Sequence, residues 1–308
     1  MKHAYGIIAF NNWNLLEKLI TLLDDERNDL YIHIDKNVKI NNMEYFKTVA
    51  KHSNVFFLER LDGSWGTPGL MDIQLLFYKT ATNKDTYQYY HLLSGVCLPL
   101  KTQDEIHAFF DAHSGKEFVH FVSKPPVEEY IYKRYSLYHF FLRYVRGEGI
   151  LRKALLGVIG EKISIALQTL LRIDRQADIK QVLSYGSNWS SITHDLALYV
   201  VKNIDNIKKR TRHTFAPDEC VLQTLVYQSD FKDKLYHAEY NDDYLANQRY
   251  IDWNRGNPYV WTNKDFDELM NSNFLFARKF DLAIDSKIIE RIYNKLNQLQ
   301  TTKKGDQI

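Results

Sequence analysis

The chain has 308 residues, of which 45% are hydrophobic, enough to bury a sizeable core as one enzyme-sized unit. Forty Lys and Arg nearly balance 38 Asp and Glu, so no bulk positive field argues for nucleic acid, and any charged ligand must be met by a local site. Cys97 and Cys220 lie far apart without metal-ligand spacing. They fit a reducing compartment and offer no disulfide framework, so a cytoplasmic protein is expected. Residues 1–5 lead into an apolar run too short for a signal peptide, and no stretch reaches the roughly 18 apolar residues of a membrane span.

In chain order, short apolar runs at 4–10, 30–35, 55–59, 89–93 and 118–122 predict strands, and helix-period segments at 13–24, 43–51, 70–82 and 103–112 predict helices between them. This βαβ alternation predicts a mainly parallel sheet covered by helices. Thr102 followed by Glu105 predicts a capping box at the start of the fourth helix. In open α/β sheets ligands sit beyond the carboxyl ends of the strands, which draws attention to Asp35, Trp65 and Ser94-Gly95. His33 and His91 fall inside strand patterns and are expected to be core or sheet-face residues, not ligands.

From about 130 to 175 the pattern becomes helical and rich in Tyr, Phe, Leu and Arg. Its 150–173 portion interleaves apolar residues with Arg152, Lys153, Lys162 and Arg172. Such a helix either packs on the domain with a wet basic face or lies as a peripheral element on a membrane surface, at the inner face for a cytoplasmic protein. Residues 181–253 return to mixed α/β, and 262–299 read as helices. The expected organisation is one catalytic domain, 1–299, made of a nucleotide-binding half (1–122), a helical insertion (123–180) and an acceptor half (181–299), followed by a disordered tail, 300–308.

Three further segments carry chemistry. The run from Tyr90 to Thr102 is a buried strand, a proline turn and a capped helix. Gly186-Ser187-Asn188-Trp189-Ser190-Ser191 precedes a helical stretch, and Ala216-Pro217-Asp218-Glu219-Cys220 opens a helix at 221–227. With Tyr31-Ile32-His33-Ile34-Asp35, Ser64-Trp65-Gly66 and Phe276-Ala277-Arg278-Lys279-Phe280-Asp281, these segments resemble glycosyltransferase family 14. That is the core-2/I-branching β-1,6-N-acetylglucosaminyltransferase and xylosyltransferase family, here in its short bacterial form.

The resemblance implies a GT-A-like α/β fold with a Rossmann-type nucleotide half, and inverting transfer of N-acetylglucosamine, or of xylose as second choice, from a UDP-sugar to a carbohydrate or glycolipid hydroxyl. Glu219 takes the position of the catalytic base. An inverting transfer needs one carboxylate to remove the proton of the attacking hydroxyl, although Pro217-Asp218-Glu219 also makes an ordinary helix start. Lys279 and Arg255 correspond to the residues that hold the diphosphate, a task fixed cations suit, and no metal cofactor is implied. Asp35, Ile7, Ile8, Ala9 and Trp65 correspond to nucleotide contacts. Glu128, Lys133, Arg134, Tyr250 and Trp253 correspond to acceptor contacts.

The one Asp-x-Asp, Asp265-Phe266-Asp267, follows Thr262 at a helix start, where acids serve the cap and dipole; it is not expected to bind metal. The alternative function is a non-catalytic carbohydrate- or nucleotide-binding protein of the same fold.

Overall fold

The computed structural model describes residues 1–142, 144 and 157–305. The chain opens with β1 (His3–Ala9), α1 (Trp13–Leu23), β2 (Asn28–Ile34), α2 (Tyr45–Val49), β3 (Asn54–Phe57), α3 (Gly69–Lys84) and β4 (Tyr89–Ser94). It continues with β5 (Cys97–Pro99), α4 (Gln103–Ala112), α5 (Glu129–Ser136), α6 (Gly160–Leu170), β6 (Ser191–Thr193), α7 (His194–Lys202), α8 (Ile204–Thr211) and α9 (Val221–Tyr227). The last elements are β7 (Arg249–Ile251), α10 (Phe266–Asn271), β8 (Phe276–Arg278) and α11 (Ser286–Gly305).

The main sheet has the order β3-β2-β1-β4-β6, with the first four strands parallel and β6 antiparallel to β4. It is the mainly parallel α/β sheet expected from the alternation. A smaller sheet, β5-β8-β7, stands beside it.

Both faces of the main sheet are covered, so β1 and β2 are buried along their whole length. Alternation sorts their side chains between two cores. Tyr5, Ile7 and Ala9 pack with α1, α4 and α11, whereas Ala4 and Ile8 pack with α3 and α7. Gly6 shares the second face because a Cβ there would stand 2.5 Å from a Phe77 ring carbon. The α4 capping box forms as read: Thr102 N–H donates to Glu105 at 2.8 Å, and Glu105 N–H donates to Thr102 Oγ1 at 3.4 Å.

Three features depart from the sequence reading. Residues 118–122 do not form a fifth strand; Phe118 makes an isolated bridge to Ser191, and β6 takes the place beside β4. A buried apolar run looks the same in sequence whether its backbone pairs along its length or at one residue. Within 262–299, read as helical, β8 intervenes as a strand of three residues. The final helix reaches Gly305, past the expected boundary at 299, and residues 306–308 lie outside the described part. Of the 150–173 segment, residues 150–156, with Arg152 and Lys153, also lie outside it. Among the described residues no helix is long and apolar enough to cross a membrane.

Arg249 of β7 joins the two sheets. Fully buried, its guanidinium donates to Ser191 Oγ and Ser190 O at 2.7 Å, to Leu92 O at 3.3 Å and to Asn247 O. Burial pushes its pKa down to about 10, so it remains a cation at neutral pH. Ser191 Oγ also lies 2.7 Å from His91 Nδ1, and His91 Nε2 lies 3.1 Å from His3 Nδ1. The His3 ring stacks on His107, with centroids 4.0 Å apart, and His107 Nε2–H donates to Asn28 Oδ1 at 2.9 Å. His33, as expected, is in the core, where its Nε2 accepts from Leu61 N–H at 2.9 Å.

Burial lowers all four histidine pKa values, His33 and His107 to about 4 and His3 and His91 well below 6.5. A depressed native pKa means the unfolded chain takes up protons first, so this contribution is complete above about pH 6.5 and declines toward pH 4. Glu117 and Asp218, both raised to about 7 chiefly by burial, act in the opposite sense over the same window. Four histidines outweigh two carboxyls, so the urea midpoint should fall on acidification from about pH 6.5 to about pH 4.5. In His107→Gln the slope of unfolding free energy against pH should flatten by about 1.4 kcal/mol per pH unit; an unchanged slope would count against a neutral buried His107.

Candidate active site at the carboxyl ends of the strands

Beyond β1, β2 and β4 the chain closes on itself through backbone bonds. Gly95 N–H donates to Ile8 O at 2.7 Å, and Asp35 N–H to Ala9 O at 3.0 Å. The Asp35 carboxylate accepts from Asn37 N–H at 2.8 Å and from Gly63 N–H at 2.7 Å, which ties the end of β2 to the loop before α3. Ile7 and Ala9 point into one core and Ile8 into the other. Contact with a nucleoside there would therefore run through the backbone end of β1 and not through these side chains.

The loop held by Asp35 carries Trp65 and Gly66 toward Phe215. Gly66 has φ +82°, and a Cβ on it would stand 2.7 Å from Phe215 Cε2, so glycine is needed for both conformation and space. Its carbonyl accepts from Ala216 N–H at 3.0 Å. The exposed Trp65 ring meets Phe215 edge to face at 5.6 Å. On Phe215 also lies the Arg134 guanidinium, 4.9 Å from the ring centroid, and from there Arg134 Nη2 donates to Glu219 Oε2 at 2.8 Å.

Glu219 ends the short 3-10 turn Pro217–Glu219. Tyr135 Oη holds that turn, donating to Pro217 O at 2.8 Å, and Gly186 N–H donates to Glu219 O at 2.8 Å. Gly186 is itself pressed on His120, since a Cβ would fall 2.0 Å from the His120 carbonyl. The Glu219 side chain is 25% exposed, enough to meet a substrate. Beside it, Asp218 is buried; its Oδ2 accepts from Asn188 Nδ2 at 3.3 Å, while its Oδ1 has no protein partner among the described residues.

The basic candidates stand on and beside the smaller sheet. Lys279 follows β8, and its carbonyl accepts from Trp261 N–H at 3.0 Å. Trp261 Nε1–H donates to Arg278 O at 2.9 Å, and the Arg255 guanidinium lies over the Trp261 ring at 5.1 Å. Trp261 thus brings Arg255 and Lys279 into one neighbourhood. Arg255, however, is engaged by Asp252, Asp265 and Glu268, whereas no ion pair to the Lys279 ammonium occurs among the described residues.

Of the acceptor candidates, Arg134 is the one that meets Glu219. Glu128 and Lys133 are exposed at the start and on the surface of α5. Tyr250 stacks on Phe274 at 4.5 Å and donates to Glu268, on the Arg255 side. Trp253 Nε1–H donates to Tyr244 Oη at 2.7 Å. The Tyr244 hydroxyl is raised well above the usual tyrosine range, first by burial and then by Asp242, with Glu219 within electrostatic reach. Trp253 is thus tied to Tyr244, a residue within electrostatic reach of Glu219. Asp265 caps its helix, accepting from Thr262 N–H at 2.8 Å and from Arg255 Nη1 at 2.8 Å. Those bonds commit its oxygens to the cap and to a cation.

Several site residues were not picked out in the sequence. Phe215, Tyr185 and Tyr244 surround Arg134 and Glu219, and the Tyr185 hydroxyl is pushed up to about 12 by burial and by Glu219. Arg278, next to Lys279, lies over Trp189 at 4.9 Å and donates to Ser94 Oγ at 3.3 Å, linking β8 to the end of β4. Its place in the same Phe-Ala-Arg-Lys-Phe-Asp motif was the available signal.

Burial, reinforced by the Glu219 charge, raises the Asp218 pKa to about 7. With the native pKa above the unfolded one, this stabilisation is complete below about pH 4 and lost as pH rises through 7. Asp218→Asn cannot ionise, so its urea midpoint should climb relative to the parent between about pH 5 and about pH 8. A constant offset across that range would show that Asp218 does not titrate there.

The Core-2/I-Branching enzyme family model matches residues 3–270. Comparison with curated proteins finds no match. Among solved structures, mouse xyloside xylosyltransferase 1 in its apo form is 9% identical with a TM-score of 0.37, over 90% of this chain and 96% of that one. Staphylococcus aureus TarS is 15% identical with a TM-score of 0.29, over 41% of this chain. This chain spans 22% of TarS. Neither likeness is strong enough to assign a residue. The family model covers most of the sequence, including the Pro-Asp-Glu turn, and this chain belongs to the Core-2/I-branching enzyme family of glycosyltransferases.

Proposed function

We propose that the protein is an inverting, metal-independent transferase that moves a sugar from a UDP donor to a hydroxyl of a carbohydrate or glycolipid acceptor, with Glu219 as general base. N-acetylglucosamine is the first choice of sugar and xylose the second. The observation that carries this proposal is the Arg134–Glu219 ion pair, which holds a partly exposed carboxylate beyond the ends of the strands.

In the proposed reaction the acceptor oxygen attacks the anomeric carbon as the bond from that carbon to the diphosphate oxygen breaks. The hydroxyl proton passes to Glu219. Arg134 occupies one carboxylate oxygen, Oε2, which favours Oε1 as the proton acceptor. The negative charge left on the nucleoside diphosphate falls to Lys279, with Arg255 second. That order follows from their surroundings, since a diphosphate must compete with three carboxylates for Arg255. Trp65 and Trp253 offer exposed ring faces for sugar, and Asp35 with the end of β1 receives the nucleoside.

The proposal predicts that UDP raises the melting temperature and that the rise survives EDTA, because a ligand bound only to the native state stabilises it by mass action. Lys279→Met should remove most of that rise, and Arg255→Ala less of it. Glu219→Gln should keep it while lowering kcat by about 100-fold or more. A rise seen only with added Mg²⁺ would overturn metal independence. UDP binding without turnover on any sugar donor would favour a non-catalytic protein.

A further inference from the structure

Helix α6 is built the wrong way round for a helix resting on a globular domain. With 3.6 residues per turn, Ile159, Ile163, Leu167 and Leu170 fall on one face and Glu161, Ser164 and Gln168 on the opposite one. The polar face turns inward. Buried Gln168 accepts from Tyr138 N–H at 2.7 Å and donates to Tyr138 O at 2.9 Å, and Glu161 binds His139 Nδ1 at 2.6 Å and Phe141 N–H at 3.0 Å. The apolar face turns outward, with Ile159 49%, Ile163 55%, Leu167 53%, Leu170 78% and Leu171 69% exposed. Singly exposed aliphatics are ordinary, but four on one helical stripe, with Leu171 exposed at its C-terminal end, mark a surface that something covers.

The surroundings of that stripe are basic. Lys162 is exposed on the helix and Arg172 follows its end. The stretch bound by Gln168 is held on its other side by His139 N–H donating to His213 O at 2.8 Å, next to exposed Lys209 and Arg212 at the end of α8 and to Lys208, which pairs with Asp72 at 3.9 Å. Glu161 is engaged with His139, Asp174 with Tyr132 and Asp178 with Arg210, which leaves exposed Asp205 of α8 among Lys209 and Arg212.

We infer that the outer face of α6 docks on a lipid bilayer carrying anionic headgroups, with the aliphatic stripe at the acyl boundary and the flanking cations on the headgroups. A second copy is the poorer occupant. An antiparallel two-fold pairing of this face would bring Lys162 of one copy toward Arg172 of the other, cation against cation, whereas an anionic surface complements both.

The test is co-sedimentation of the full chain with phosphatidylcholine vesicles containing about a third phosphatidylglycerol, and with phosphatidylcholine alone. Binding to the anionic vesicles should exceed binding to the neutral ones, and Ile163→Glu/Leu167→Glu/Leu170→Glu should weaken it at least about tenfold. These side chains are exposed, so that variant should melt with the parent. Lys162→Gln/Arg172→Gln should weaken anionic binding while leaving the aliphatic stripe intact. Absence of binding to anionic vesicles, or undiminished binding by the triple variant, overturns the inference. So does a dimer on gel filtration that the triple variant dissociates without any vesicle binding by the parent. Vesicle binding is read without turnover, so its failure would leave the transferase proposal standing.

Discussion

The relation between the two sheets depends on one buried cation. Arg249 sits with its guanidinium among the carbonyls of Leu92, Ser190 and Asn247 and the hydroxyl of Ser191, with no carboxylate bonded to it among the described residues. A charge in such a place is stable only while its two Nη groups, the ones that donate here, stay matched to acceptors, because an unpaired buried charge is very costly. The requirement locks β7 to the edge formed by β4 and β6. Since β8 pairs with β7, it also sets where Arg278 and Lys279 stand relative to the main sheet.

Against that frame the site closes through a chain of short contacts. Asp35 positions the loop bearing Trp65 and Gly66, Gly66 makes room for Phe215, and Phe215 supports the Arg134 guanidinium that binds Glu219. On the other side, Asp218 reaches Asn188, the adjacent Trp189 supports Arg278, and Arg278 returns to Ser94 at the end of β4. The carboxylate and the basic residues therefore belong to two rims that meet at the end of the central strands. That location is the usual ligand position of a parallel α/β sheet, where the first residues after each strand converge.

Helix α6 shows how far local pattern can mislead about orientation. Its period is helical and its composition is mixed, as read, and the ordinary rule would bury the aliphatic face. Gln168 and Glu161 reverse the outcome, because each satisfies backbone groups of the 138–141 stretch that would otherwise be left unpaired in a part-buried place. An unmet N–H is costly enough to decide which face turns inward.

Patterns local to the chain suffice for the βαβ alternation, the α4 capping box, the strand placement of His33 and His91, and the motifs that carry the family resemblance. These are properties of neighbours along the chain: period-two burial, a cap three residues long, a turn opened by proline. It took the folded chain to show that 118–122 bridges instead of pairing, that the three residues of β8 form a strand between helices, and that Arg134 meets Glu219. The same fold shares Arg255 among three carboxylates and turns the aliphatic face of α6 outward. Each of those depends on groups far apart in sequence that must share hydrogen bonds, charge or space once buried, and no local pattern encodes which distant partner will be there.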